Sequence, residues 1–153
     1  MTPRDRYNSA HKHNFQRAYP QAWKDGHYSP PPYPKVNTAN GLTKMIVNFL
    51  MWHEHRATRI SSAGRMVDAA ERQPSGTVLT VKKYIPGPTR RGSADISATI
   101  KGRSVMLEVK IGRDKPSQYQ LDEQARERKA GGVFEFISTP EQFFELYDKL
   151  INL

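Results

Sequence analysis

Residues 92 to 110 read Gly-Ser-Ala-Asp-Ile-Ser-Ala-Thr-Ile-Lys-Gly-Arg-Ser-Val-Met-Leu-Glu-Val-Lys, and this stretch says most about the fold. Apolar and polar residues alternate from 96 to 100, and a second strand-like run occupies 105 to 110 after a turn at Lys101-Gly102. Alternation with a period of two is typical of a strand that buries one face. The stretch therefore predicts a β-hairpin.

Charged side chains stand at the ends of these two strands: Asp95 on the first, and Glu108 and Lys110 on the second. Because side chains two apart on a strand share a face, we expect Glu108 and Lys110 to point together while Val109 points to the buried side. If Asp95 lies near Glu108, the carboxylates form a hard oxygen site suited to Mg²⁺ or Mn²⁺. An ordinary edge hairpin with exposed charges is the alternative.

The same Glu-x-Lys spacing recurs at Glu127-Arg128-Lys129, where it carries no such meaning. That triplet lies in a stretch with helical character, and positions two apart on a helix point to nearly opposite sides. The strand context, the preceding aspartate and the helix that follows with Gln120 distinguish the first triplet from the second.

Length and composition limit the possible functions. The chain has 153 residues, enough for one domain with an attached segment. It has no cysteine, which excludes disulfides, thiolate catalysis and cysteine-based zinc sites. No apolar run has the length of a membrane span, and the N-terminus lacks the hydrophobic core of a signal peptide, so we expect a cytoplasmic protein that does not bind membranes.

The net charge of +9 favours a polyanionic partner such as nucleic acid, although a basic surface that only aids solubility is the alternative. The charge is uneven: residues 1 to 40 carry +4, residues 41 to 92 carry +6, and residues 93 to 153 carry −1. This pattern suits a negative metal pocket flanked by a positive surface that holds a phosphate backbone.

Two parts of the chain are expected from its composition. Residues 1 to 40 are basic, rich in proline and tyrosine and without apolar periodicity, which predicts an N-terminal arm whose aromatic residues stack on bases or lie along the domain. Residues 41 to 153 form the folded domain. Its predicted elements are a helix from Leu42 to near His55, strands at 56 to 62, 64 to 68, 76 to 85, 96 to 100 and 105 to 110, a loop at 69 to 75, a helix from 117 to 131, a strand at 133 to 137 and a helix from Thr139.

This order of elements resembles the PD-(D/E)xK nuclease superfamily. Within it, four segments over about residues 41 to 145 are similar to the virus-type replication-repair nuclease (VRR-NUC) domain: Gly92-Ser-Ala-Asp95, Leu107-Glu108-Val109-Lys110-Ile-Gly-Arg-Asp-Lys, Ser117-x-x-Gln120 and Ala130-Gly131-Gly132. Ala94 stands where many members have proline. The resemblance implies an α/β (α+β) fold with a restriction-endonuclease-like core, a central mixed sheet flanked by helices in the order αβββ(β)αβα.

The resemblance also implies roles for individual residues. Asp95, Glu108 and the Val109 carbonyl would bind Mg²⁺ or Mn²⁺, Lys110 would orient or help deprotonate the attacking water, and Gln120 would support this arrangement from its helix. Gln120 has a second interpretation, because Ser117-x-x-Gln120 is also a helix capping box. Further candidates are Glu54 as a metal ligand on the first helix, and Arg59, Arg65, Arg90 and Arg91 as phosphate contacts.

The function expected from the resemblance is a metal-dependent DNA endonuclease that selects branched or flapped DNA, such as a Holliday junction, in phage or bacterial replication, recombination or repair. Small stand-alone members of the family are phage-borne or bacterial and tend to be homodimers. A non-catalytic nucleic-acid-binding module that uses the same basic surface is the alternative.

Overall fold

The structure is a computed structural model that describes residues 1–61, 65–87 and 91–153. Its helices are α1 (Pro3–Ala18), α2 (Pro20–Lys24), α3 (Ala39–Trp52), α4 (Gln118–Lys129) and α5 (Pro140–Ile151). Its strands are β1 (Arg56–Arg59), β2 (Arg65–Arg72), β3 (Val78–Ile85), β4 (Ile96–Ile100), β5 (Arg103–Val109) and β6 (Val133–Ile137).

A four-stranded mixed sheet in the order β1-β4-β5-β6 forms the centre of the domain. Strand β4 is antiparallel to both β1 and β5, and β6 runs parallel to β5. Lys101 and Gly102 join β4 to β5 with φ of 49° and 80°, the left-handed conformations that a two-residue hairpin turn with matching twist requires. The predicted hairpin and the predicted mixed sheet with flanking helices are confirmed.

The hydrophobic core lies between the sheet and helices α3 and α5. Alternate residues of β4 and β5 point into it, and one apolar face of α3 packs against them at helical spacing. Helix α4 covers part of the other sheet face, where Gln124 Nε2 donates to the Phe134 carbonyl at 3.0 Å. The buried residues are Leu42, Met45, Ile46, Phe49 and Leu50 of α3, Ile96, Ala98 and Ile100 of β4, Val105, Leu107 and Val109 of β5, and Phe143, Phe144, Tyr147 and Leu150 of α5.

The segment predicted to form an N-terminal arm contains two helices, α1 and α2, which its composition did not indicate. Helix α1 begins with a capping box between Thr2 and Asp5, and Tyr7 and Ala10 belong to the core. The Tyr7 ring lies 4.7 Å from the Trp52 ring and 5.4 Å from that of Tyr33. Only two residues of α1 are buried, so the helix has no broad apolar stripe that a search for periodicity would find.

Strands β2 and β3 form a separate two-stranded sheet. The predicted loop at 69 to 75 was wrong in its first half, because β2 continues to Arg72 and pairs with Val78 of β3. The Ala-Ala-Glu-Arg sequence at 69 to 72 has low strand propensity, and hydrogen bonding to β3 outweighs it.

Within the part of the chain that the structure describes, no helix is long and apolar enough to cross a membrane.

Tyr7 provides a test of how firmly α1 belongs to the domain. We expect Tyr7→Ala to lower the free energy of unfolding by about 3 to 5 kcal/mol, because it empties a buried aromatic position. Tyr7→Phe should cost about 1 kcal/mol, since it removes the hydroxyl that accepts from Asn48 Nδ2 at 3.1 Å. Urea unfolding measures both. Tyr19→Ala, at an exposed tyrosine, is the control, and an equal loss in Tyr7→Ala and Tyr19→Ala would contradict the packing described.

A bidentate ion pair between Arg6 and Asp148 joins α1 to α5, with N–O distances of 2.6 and 2.8 Å. The hydrogen bonds from Arg6 hold the pKa of the Asp148 carboxyl below its ordinary value of 3.8. A lowered carboxyl pKa in the folded state contributes stability above pH 3.8, and this contribution disappears as the pH falls through the folded-state pKa.

We therefore expect a double-mutant cycle of Arg6→Gln and Asp148→Asn to give a coupling energy of about 1 kcal/mol or less near neutral pH, since both side chains are partly exposed. The coupling should vanish well below pH 3.8. Unfolding by urea at each pH measures it, and a coupling that persists in acid would show that the pair is not electrostatic.

Candidate active site

The register of β4 and β5 brings the two predicted carboxylates together. Ile96 pairs with Leu107, so the next positions, Asp95 and Glu108, are direct cross-strand neighbours. Such neighbours on one face of an antiparallel pair have Cβ atoms about 4.5 to 5.5 Å apart. Asp95 Oδ2 also accepts a hydrogen bond of 2.9 Å from the Val109 amide, which fixes its position at the end of the hairpin.

Glu108 is buried although it is acidic, with 5% of the residue exposed. Its Oε1 atom accepts a hydrogen bond from Gln120 Nε2 and lies 3.1 Å from Lys110 Nζ. Its Oε2 atom is buried and has no hydrogen-bond partner among the described residues. A buried carboxylate oxygen without a partner costs free energy in the absence of a ligand, so this atom is free to bind one.

The electrostatic surroundings of Glu108 act in both directions. Burial raises the pKa of the Glu108 carboxyl, and the negative charge of Asp95 raises it further, while the hydrogen bond and positive charge of Lys110 lower it. The net effect is a raised pKa. Two carboxylates side by side repel each other, and a cation bound between them would remove that repulsion.

Lys110 lies on the same side as Glu108, as the two-residue spacing predicts, and is 8% exposed. The Lys110 ammonium group has a second acidic neighbour in addition to Glu108: it lies 3.4 Å from Asp114 Oδ2. Val109 points to the core, which confirms its predicted direction. Since the amide and carbonyl of one strand residue face the same strand edge, the Val109 carbonyl is directed to the Asp95 side, where its amide already bonds.

Gln120 satisfies both interpretations of its motif. The Gln120 side-chain oxygen accepts a hydrogen bond of 3.0 Å from the Ser117 backbone amide. The Gln120 backbone amide donates to Ser117 Oγ at 3.3 Å, which completes a capping box at the start of α4. The other end of the same side-chain amide donates to Glu108. The cap therefore sets the orientation from which Gln120 holds the carboxylate.

Gly92 allows the chain before Asp95 to approach helix α4 closely. Its φ is +85°, and a Cβ atom placed on it would contact the Tyr119 carbonyl oxygen and lie 2.6 Å from the Tyr119 carbonyl carbon. Any larger residue here would push the segment that carries Asp95 away from the helix that carries Gln120. The close approach and the positive φ therefore explain why this position of the motif is a glycine.

The structure does not bring Glu54 to these residues. It lies beyond the end of α3 and pairs with Arg17 at 3.3 Å. Glu54 precedes Arg56, the first residue of β1. Asp95 lies beside the opposite end of β1, where the Asp95 carbonyl accepts a hydrogen bond of 2.7 Å from the Ile60 amide. Four residues of strand span roughly 13 Å, so the two carboxylates cannot share an ion.

The predicted phosphate contacts have different positions. Arg91 lines the cavity beside Asp95, with its guanidinium 5.6 Å from the centre of the Tyr119 ring. Arg59 pairs with Ile96, so its side chain lies on the core face of the sheet, opposite that of Asp95, and it donates to Asn40 at 2.6 Å. Arg65 is the first residue of β2, and nothing further is described of its side chain. Arg90 lies outside the described residues.

A cavity of about 460 Å³ opens at the end of the hairpin. Its lining includes Asp95, Glu108, Gln120, Arg91, Tyr84 and Tyr119. Sequence reasoning missed the two tyrosines. Tyr119 stands directly before Gln120 in the quoted motif, which was a usable signal, whereas Tyr84 is separated from the motif by the loop after β3 and only the tertiary structure places it here.

The donor set fits a hard divalent metal better than a soft one. It consists of the Asp95 carboxylate, the free Oε2 atom of Glu108 and the Val109 carbonyl, and all three offer oxygen. The described part of the chain contains no cluster of three or more histidine, aspartate or glutamate side chains that could hold a metal, so such an ion would keep several water or phosphate ligands.

Comparison with known proteins finds no match, either to a protein-family model or to a curated protein. Membership of the VRR-NUC family therefore stays a prediction from the motifs.

The position of Gly92 gives a test of the site's assembly. We expect Gly92→Ala to destabilise the protein more than Gly102→Ala, by about 1 to 3 kcal/mol, because only the first adds crowding to the strain of a positive φ. Gly102 is a matched control, since its φ is +80° and a Cβ there would contact nothing within 4 Å. Urea unfolding compares the two, and equal losses would show that the approach to α4 is loose.

Proposed function

We propose that this protein is a metal-dependent DNA endonuclease of the VRR-NUC type, with a restriction-endonuclease-like core. The observation that carries the proposal is the Glu108 carboxylate, which has one oxygen held by Gln120 and Lys110 and the other buried without a partner. It lies in the same cavity as Asp95. A non-catalytic binding surface for phosphates gains nothing from two adjacent carboxylates, because they repel the ligand.

Asp95, Glu108 and the Val109 carbonyl would hold Mg²⁺ or Mn²⁺. A divalent ion supplies a nucleophilic water at neutral pH and polarises a phosphoryl oxygen. The chain's own residues position these groups: Gln120 and Lys110 fix one Glu108 oxygen, which leaves the other directed to the ligand, and the Val109 amide fixes Asp95.

Lys110 supplies the remaining chemistry of the site. Its ammonium group lies beside Glu108 and is almost fully buried, so its charge is poorly screened by solvent. From there it orients the attacking water or stabilises charge that develops on the phosphate. Arg91 on the cavity wall is placed to hold the DNA backbone beside the two carboxylates.

The substrate would be DNA with a branched or flapped structure, and the protein would act in the bacterial cytoplasm during replication, recombination or repair of host or phage DNA. The basic balance of the first 92 residues supports a polyanionic substrate. Homodimer formation, which the resemblance implies, is part of the same proposal.

The direct test incubates the purified protein with single-stranded, duplex, flapped and four-way DNA, each with Mg²⁺, Mn²⁺ or chelator. We expect cleavage with metal and none with chelator. Asp95→Asn and Lys110→Met should each reduce the cleavage rate by about 10² to 10⁴, because each removes a group that acts on the reacting atoms.

Matched controls come from the charged residues of α4. Asp122→Asn and Lys129→Met are the same substitutions as those at Asp95 and Lys110, made at exposed positions. Both variants should cleave DNA at the wild-type rate. Circular dichroism and urea unfolding establish that the site variants remain folded. Cleavage by either site variant at the wild-type rate would overturn the assignment. Salt-dependent binding by the wild type without cleavage under any metal would favour the non-catalytic module.

A further inference from the structure

Two exposed aromatic side chains flank the carboxylates without any role in holding them. Tyr84 and Tyr119 line the cavity that contains Asp95 and Glu108, and they are 59% and 53% exposed. Among the described residues, three tyrosines are this exposed, and the third, Tyr19, is at the end of α1. Large exposed aromatic residues concentrated at one cavity indicate a binding surface.

Each of the two tyrosines is held by its backbone in a regular element. Tyr84 pairs with Met66 in the β2–β3 hairpin, and Tyr119 lies in the first turn of α4, directly before Gln120. The Arg91 guanidinium lies 5.6 Å from the centre of the Tyr119 ring, and its Nη1 atom is 3.4 Å from the Tyr119 hydroxyl. An aromatic ring that is oriented before binding loses less entropy when a ligand stacks on it.

The surroundings of these rings suit a nucleotide. The cavity of about 460 Å³ falls within the size range of small-ligand sites. One part of it offers carboxylate oxygens for a metal and its phosphate, another offers the Arg91 cation, and the rim offers aromatic faces for a base. In a continuous duplex each base face is covered by its neighbours, so an unpaired base offers its face to a side chain without the cost of unstacking a base pair.

We propose that Tyr84 and Tyr119 form a stacking site for an unpaired DNA base next to the phosphate that would lie at Asp95 and Glu108. This inference rests on the proposed nuclease function and specifies its substrate. The protein would favour single-stranded DNA, or a flap with an unpaired nucleotide beside the cut, over a fully paired duplex.

The test measures binding in chelator, so that catalysis does not enter. Fluorescence anisotropy with labelled single-stranded, flapped and fully paired duplex DNA compares the wild type with Tyr84→Leu and Tyr119→Leu. Each leucine variant should weaken binding of single-stranded and flapped DNA about ten-fold, the lower part of the range that one stacked base contributes. Binding of the paired duplex should change less than about two-fold, because the stacking contact is not made there.

Three controls separate stacking from other effects. Tyr84→Phe and Tyr119→Phe keep the ring and should recover most of the affinity that the corresponding leucine variants lose. Tyr19→Leu removes an equally exposed tyrosine away from the cavity and should change nothing. In single-stranded DNA whose bases are replaced by abasic sites, the wild type and the leucine variants should bind equally.

The outcomes distinguish this inference from the proposed function. The stacking inference fails if the leucine variants bind every DNA with the affinity of the wild type, or if they lose as much affinity for duplex as for single-stranded DNA. If the wild type still cleaves DNA with Mg²⁺ or Mn²⁺, the nuclease proposal is kept. If binding follows the expected pattern but the wild type cleaves no substrate with either metal, the nuclease proposal fails while the stacking site is supported.

Discussion

The antiparallel register between β4 and β5 is the constraint on which the site depends. Because Ile96 faces Leu107 in the core, the following pair, Asp95 and Glu108, must face each other on the opposite side of the sheet. A slip of one residue would turn Glu108 toward the apolar core and leave Asp95 without its partner. The core that stabilises the domain thus also fixes which carboxylates meet, and the two-residue turn at Lys101-Gly102 sets the register.

Helix α4 completes the site from the other direction. Its capping box and its contact with Glu108 use the two ends of one Gln120 side chain, so the start of the helix and the orientation of the carboxylate are coupled. Gly92 lets the segment that carries Asp95 approach the same helix end. The result is a buried carboxylate with one oxygen bound and one free, an arrangement that is unfavourable until a ligand arrives and favourable with a cation present.

Several features could be predicted because they depend on local spacing. The hairpin followed from alternation over few residues, and the shared side of Glu108 and Lys110 followed from the two-residue period. The helix start at Ser117 followed from its capping box. The features that the sequence did not reveal depend on distant contacts. Helix α1 buries only Tyr7 and Ala10, and the second half of β2 has weak strand propensity and exists through its pairing with β3.

The sequence by itself determined the residue types of the site, the strand period that aligns Glu108 with Lys110, and the charge balance that favours a polyanionic partner. Tertiary structure alone decided which side chains meet. It separates Glu54 from Asp95 by the length of β1, although both were candidate ligands, and it brings Tyr84 to the cavity from a hairpin remote in sequence. The reason is physical: periodicity fixes the direction of a side chain within one element, whereas proximity between elements depends on strand order and packing.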